Sequence, residues 1–105
     1  MIIDLEENMF FSHGDEARFF HGLEGNPAVK GFRAVAQGKT GRILAVDLDA
    51  RALNKKVLWD LIALCWRYDV SLKPLRVLAG MKKFSWLRVK HMYWHKDMFG
   101  RAARR

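Results

Sequence analysis

The stretch NPAVKGFRAVAQGKTGRILAVDLD, residues 26–49, decides how the chain is to be threaded. Asn26-Pro27 reads as the start of a helix, with proline at the first helical position, where its missing N–H costs nothing. Ala28, Val29, Phe32, Val35 and Ala36 then fall on one apolar face, and Gly38 stops the helix. GKTGR is a turn. RILAVDLD (42–49) follows as a strand. Its core, ILAV, does not alternate, which predicts a strand covered on both faces, as in a parallel sheet.

Working outward, IIDLE (2–6) alternates and reads as a first strand, which MFF (9–11) extends or pairs back upon. Ser12, with Asp15 three residues on, resembles a capping box and predicts a helix whose buried side is Ala17, Phe19, Phe20 and Leu23 and whose end is Gly25. On the other side, Asn54 caps a long helix over 55–69. Lys56, Asp60 and Arg67 make its one narrow polar stripe, and Trp59, Ile62 and Trp66 lie along another. So apolar a helix is either central or half of a subunit interface, and a homo-oligomer joined through 55–69 is expected. SLKPLRVLA (71–79) reads as the next strand, completing a right-handed βαβ unit.

The expectation is therefore an α/β fold: a small, mostly parallel sheet of three to four strands with helices packed on it. The order is β-α-α-β-α-β, followed by a basic segment with a short strand near 83–89 and a helix to about 99. Residues 1–101 form one globular domain and 102–105 a basic tail. This element order resembles the barstar-like architecture. The resemblance is one of order alone, without a shared motif, and implies nothing about function.

Composition bounds the class. With 105 residues, half of them hydrophobic, the chain can bury one core. The longest apolar run, VLWDLIALCW, is broken by Asp60 and is too short to span a membrane. MIIDLEENMFF carries acids where a signal peptide requires basic residues. The single cysteine, Cys65, has no internal disulfide partner. A cytoplasmic protein is expected.

Charge is the most informative feature. Residues 1–81 hold 11 Lys/Arg against 10 Asp/Glu, whereas residues 82–105 hold 8 against 1. The excess of +8 is thus almost wholly C-terminal, in KKFSWLRVKHMYWHKDMFGRAARR. Clustered charge makes a local field that scattered charge does not.

No complete catalytic motif is present. GKT (38–40) looks like the end of a phosphate loop, but Arg33 stands where that motif needs glycine, and a helix precedes it where a strand should. Asp47 and Asp49 share one side at the end of a strand, where two carboxylates could hold Mg²⁺. An apolar run followed by DxD resembles the opening of haloacid-dehalogenase-like phosphatases, whose further motifs this chain does not carry. The weaker reading is a small metal-dependent enzyme built on that pair; the commoner one is a strand end turning into a loop. His91 and His95, four apart, lack a third ligand, so no metal site and no cofactor are expected. Cys65 reads as a small core residue.

The basic segment carries the functional expectation. Phosphates need cations, here Lys82, Lys83, Arg88, Lys90, Lys96 and Arg101. Single-stranded bases need flat rings, here Trp86, Tyr93 and Trp94. The mixture suits RNA better than duplex DNA, since no duplex-reading motif is present. A small non-catalytic nucleic-acid-binding protein is expected. The alternative is a protein-interaction module of antitoxin, immunity or adaptor type whose basic face meets an acidic partner.

Overall fold

The computed structural model describes residues 1–7, 13–39, 41–89 and 92–100. Within them the order is β1 (Ile2–Glu6), α1 (His13–Glu24), β2 (Val29–Gln37), β3 (Arg42–Leu48), α2 (Lys55–Arg67), 3₁₀ segments at Lys73–Gly80 and Lys82–Arg88, and α3 (His95–Phe99). MFF and Ser12 lie outside the described residues.

The sheet has three strands in the order β1-β3-β2, and both pairings are antiparallel. This overturns the mostly parallel sheet, the β-α-α-β-α-β order and the βαβ unit. The error begins at residues 26–37, which form a strand and not a helix. Asn26 makes a turn: its Oδ1 accepts from Ala28 N at 2.9 Å, its backbone carbonyl from Val29 N at 3.0 Å, and its Nδ2 donates to Val57 O at 3.2 Å. A side chain that satisfies the local backbone in this way competes with helix initiation. Gly31 and the β-branched Val29 and Val35 then favour an extended chain. The Gly38 N–H donates to the Gly41 carbonyl at 2.7 Å and closes a hairpin, and so short a connection can join only antiparallel strands.

β3 is the central strand, and it does alternate. Leu44, Val46 and Leu48 are buried beneath the helices, whereas Ile43, Ala45 and Asp47 are half-buried on the other face. On β1, Ile3 and Leu5 join the buried side. The apolar Ile43 and Ala45 conceal this alternation in the sequence. They are tolerated because strands flank them on both sides.

The hairpin is pinned to the end of β1. Arg42 donates to the buried Glu7 carboxylate through Nε at 2.7 Å and Nη2 at 3.2 Å, and its guanidinium lies 5.8 Å from the Phe20 ring centroid of α1. At Gly41 a β-carbon would stand 2.5 Å from the Glu7 carbonyl oxygen, so the close approach requires glycine.

α2 begins as expected. Asn54 Oδ1 accepts from Val57 N at 2.9 Å. Val57, Leu58, Leu61, Ile62 and Cys65 are buried, Trp59, Ala63, Leu64 and Trp66 are half-buried, and only Lys55, Lys56, Asp60 and Arg67 are exposed. The inner side of α2 therefore packs into the single core of the chain, while Trp59 and Trp66 keep part of their surface open. No helix among the described residues is long and apolar enough to cross a membrane.

The two strands expected at 71–79 and 83–89 are 3₁₀ turns instead. Pro74 sits in the first turn of the first segment, where it opens a helix and would break a ladder. Leu72, Leu75, Leu78, Phe84 and Leu87 are buried and Met81 packs on the same core. A three-residue period aligns these side chains on one side.

Candidate functional site

The basic segment folds back onto α2, and its rings divide between core and surface. Trp94 is wholly buried, with Nε1 donating to Leu87 O at 3.0 Å, so it offers no face to a ligand. Phe84 and Leu87 are likewise core. Trp86 is half-buried and stacks on Trp59 of α2, with centroids 5.6 Å apart and planes 17° from parallel. Trp94 meets both indoles edge-on, at 4.7 Å from Trp59 and 5.7 Å from Trp86. Tyr93 is 40% exposed and packs edge-on against Trp66 at 5.2 Å. Burial pushes its phenol above the ordinary value, so it stays neutral and able to donate at physiological pH.

The cations divide in the same way. Lys83 Nζ donates to the carbonyls of Ala50 at 3.2 Å and Leu53 at 3.3 Å, bracing the loop before α2. Arg88 Nε donates to Ala79 O at 3.3 Å, and its guanidinium lies 5.8 Å from the Phe99 ring. These two side chains hold the fold together as well as carrying charge. Lys82 and Lys96 are exposed. Lys90, Arg101 and His91 lie outside the described residues.

The structure adds residues that were not expected. Lys55 and Lys56 occupy the first turn of α2, which carries no acid. The Lys55 ammonium stands 5.6 Å from the Trp86 ring centroid and 6.0 Å from that of Trp59. An open cleft of about 410 Å³, almost entirely apolar at its surface, is lined by Lys55, Lys56, Trp59 and Asp60. Trp86 Nε1 is buried without a hydrogen-bond partner among the described residues. One sequence signal pointed here. Two lysines in a first helical turn oppose the helix dipole, which favours acids there, so the sequence accepts an electrostatic cost at that spot.

The two carboxylates at the end of β3 have separate partners. Asp47 Oδ1 lies 3.6 Å from the Met1 ammonium. Asp49 turns back on its own loop, Oδ1 accepting from Arg51 N at 3.0 Å. Among the described residues no group of three or more His, Cys, Asp or Glu side chains converges as a metal site would require. His95 packs against Phe99, with ring centroids 5.0 Å apart.

Comparison with protein-family models, curated proteins and solved structures returns no match.

Proposed function

We propose that the protein is a small non-catalytic binding protein for single-stranded nucleic acid, RNA in preference to DNA, acting in the cytoplasm. The observation that carries the reading is the ammonium of Lys55 held over the stacked indoles of Trp59 and Trp86, with Lys56 exposed beside it on the same helix turn. Packed rings hold one cation in place, and fixed cations make a directional patch able to follow a phosphate backbone. Rings partly open to solvent supply the stacking that sequence-tolerant binding of single strands uses. The interface is thus broader than the C-terminal segment: Lys55, Lys56 and Trp59 of α2 join Lys82, Trp86, Tyr93 and Lys96, while Trp94, Lys83 and Arg88 support it.

The test is the salt dependence of binding to an oligouridylate. Changing Lys55, Lys56, Lys82 and Lys96 together to Gln removes exposed charges that brace no backbone carbonyl. The log–log salt slope is expected to become shallower by roughly three units, near 0.7 per lost phosphate contact. An unchanged slope, or no binding by the parent protein at about 50 mM salt, overturns the reading. So does a lysate partner that stays bound after ribonuclease treatment and competes with RNA for the same face, because the acidic-protein alternative then stands.

A further inference from the structure

We infer that the open cleft on α2 is a nucleotide subsite selective for guanine, with Lys55 and Lys56 on the phosphate, Trp59 under the base and Asp60 on its Watson–Crick edge. The inference rests on the RNA-binding reading and goes beyond it, because stacking and charge alone distinguish no base.

The decisive residue is Asp60. It is exposed, stands directly after Trp59 on α2 and lines the same cleft. Neither Lys56, four residues before it, nor any other described cation forms an ion pair with its carboxylate within 4.0 Å. A carboxylate is a poor choice for a surface meant only to attract phosphate, since it repels the backbone it sits beside. It suits a site that must accept hydrogen bonds from a base lying over the ring.

Base chemistry then separates the candidates. An ionised carboxylate offers acceptors only, in a fork of two oxygens. On the Watson–Crick edge of guanine, N1–H and the N2 amino group are two adjacent donors that match this fork. Adenine and cytosine each offer one amino donor beside a ring-nitrogen acceptor, which the carboxylate repels. Uracil offers one N–H between two carbonyls. Only guanine satisfies both oxygens without an opposed lone pair. A purine also covers more of the Trp59 ring than a pyrimidine does.

Geometry supports this assembly. The surface of the cleft is almost wholly apolar, as a stacking floor should be, and it is formed by Trp59 together with Lys55, Lys56 and Asp60. Trp59 is held from beneath by Trp86 and from the side by Trp94, so the floor is in place before the ligand arrives.

The experiment uses the full chain and four oligonucleotides: nine uridines, and the same chain with a central G, A or C. A single guanine avoids self-association of G-rich strands. Binding is followed by fluorescence anisotropy at one salt concentration. The parent is expected to bind the G-containing strand about tenfold tighter than oligouridylate, in the range of one good bidentate base contact. The A- and C-containing strands are expected to gain less than threefold. Asp60→Asn, isosteric and exposed, should bring the G-containing strand down to the level of oligouridylate while oligouridylate binding holds or tightens slightly.

Equal binding of all four strands by the parent overturns guanine selectivity and leaves general RNA binding in place. A guanine preference that survives Asp60→Asn overturns the role of Asp60. No binding of any strand overturns this inference and the reading beneath it. Circular dichroism and the unfolding midpoint establish that Asp60→Asn is folded. Lys56→Gln is the companion variant: it should weaken all four strands alike and leave the G preference intact.

Discussion

Cys65 shows how burial turns one side chain into a pH-dependent contribution to stability. It is fully buried on the inner side of α2. Desolvation, with a smaller contribution from the charge of Asp97, pushes its thiol from the ordinary 9.0 up to about 12. Between those values the folded chain keeps a proton that the unfolded chain has released. Stability therefore falls as pH rises through that window, by up to about 1.4 kcal/mol per pH unit, and is untouched by this group below it. Urea midpoints across the window should show the loss. Cys65→Ala should flatten that part of the curve at the cost of a small cavity. Asp69 isolates a backbone effect in the same way. It ends α2 at φ 61°, in the left-handed region. Asp69→Ala and Asp69→Gly both remove the carboxylate, but only alanine must hold its β-carbon in that conformation. The alanine variant should be the less stable by about 1–2 kcal/mol in thermal or urea unfolding.

At the scale of elements, what was legible depended on whether the local signal had one meaning. β1, α1 ending at Gly25, and α2 with its Asn54 cap follow from alternation, a stop residue and a capping side chain, and each occurs where expected. β2 failed for a physical reason. Its ladder slips between Val29 and Gly31 and again between Ala34 and Ala36. The residues opposite the buried face of β3 are therefore 29, 32 and 34, and the first interval copies a helical i, i+3 spacing. The 3₁₀ segments are concealed because their apolar period of three is shared with neither regular element. Leu72, Leu75, Leu78, Met81, Phe84 and Leu87 recur every third residue without a break, which is neither a strand nor an α-helix. The proposed surface draws on two parts of the chain. Charge clustering in the sequence points to Lys82, Trp86, Tyr93 and Lys96, but not to Lys55 and Trp59, which meet Trp86 only because the chain folds back. The first 3₁₀ segment can be checked directly. As a strand, Leu75 and Val77 would share a face and respond alike. Here Leu75 and Leu78 are fully buried whereas Val77 is 60% exposed. Leu75→Ala and Leu78→Ala should each cost about 2–5 kcal/mol, and Val77→Ala less than about 0.5. A large loss at Val77 would contradict the 3₁₀ assignment.

For the molecule as a whole, the exposed sheet edges pose the question of strand-to-strand association. Val57, Leu58, Leu61, Ile62 and Cys65 of α2 are buried within the chain. β1, at one edge, is approached by the first 3₁₀ segment. β2, at the other, is nearly all exposed, with Val35 at 48%, and presents the features of a strand that recruits strands. Three devices oppose that. The two register shifts bend the ladder that a second chain would have to match. Lys30 and Arg33 place cations on the edge, so that two antiparallel copies bring like charges together. The net charge of +8 adds long-range repulsion between whole molecules. The edge charges are the part that can be removed without disturbing the core, since both residues are exposed and threonine favours a strand. Lys30→Thr with Arg33→Thr should leave the fold unchanged by circular dichroism. It should raise the weight-average sedimentation coefficient with protein concentration more steeply than the parent does, and more so at high salt, where the remaining repulsion is screened. Indistinguishable concentration dependence in parent and variant would show that the bulges alone guard this edge and that Lys30 and Arg33 do not.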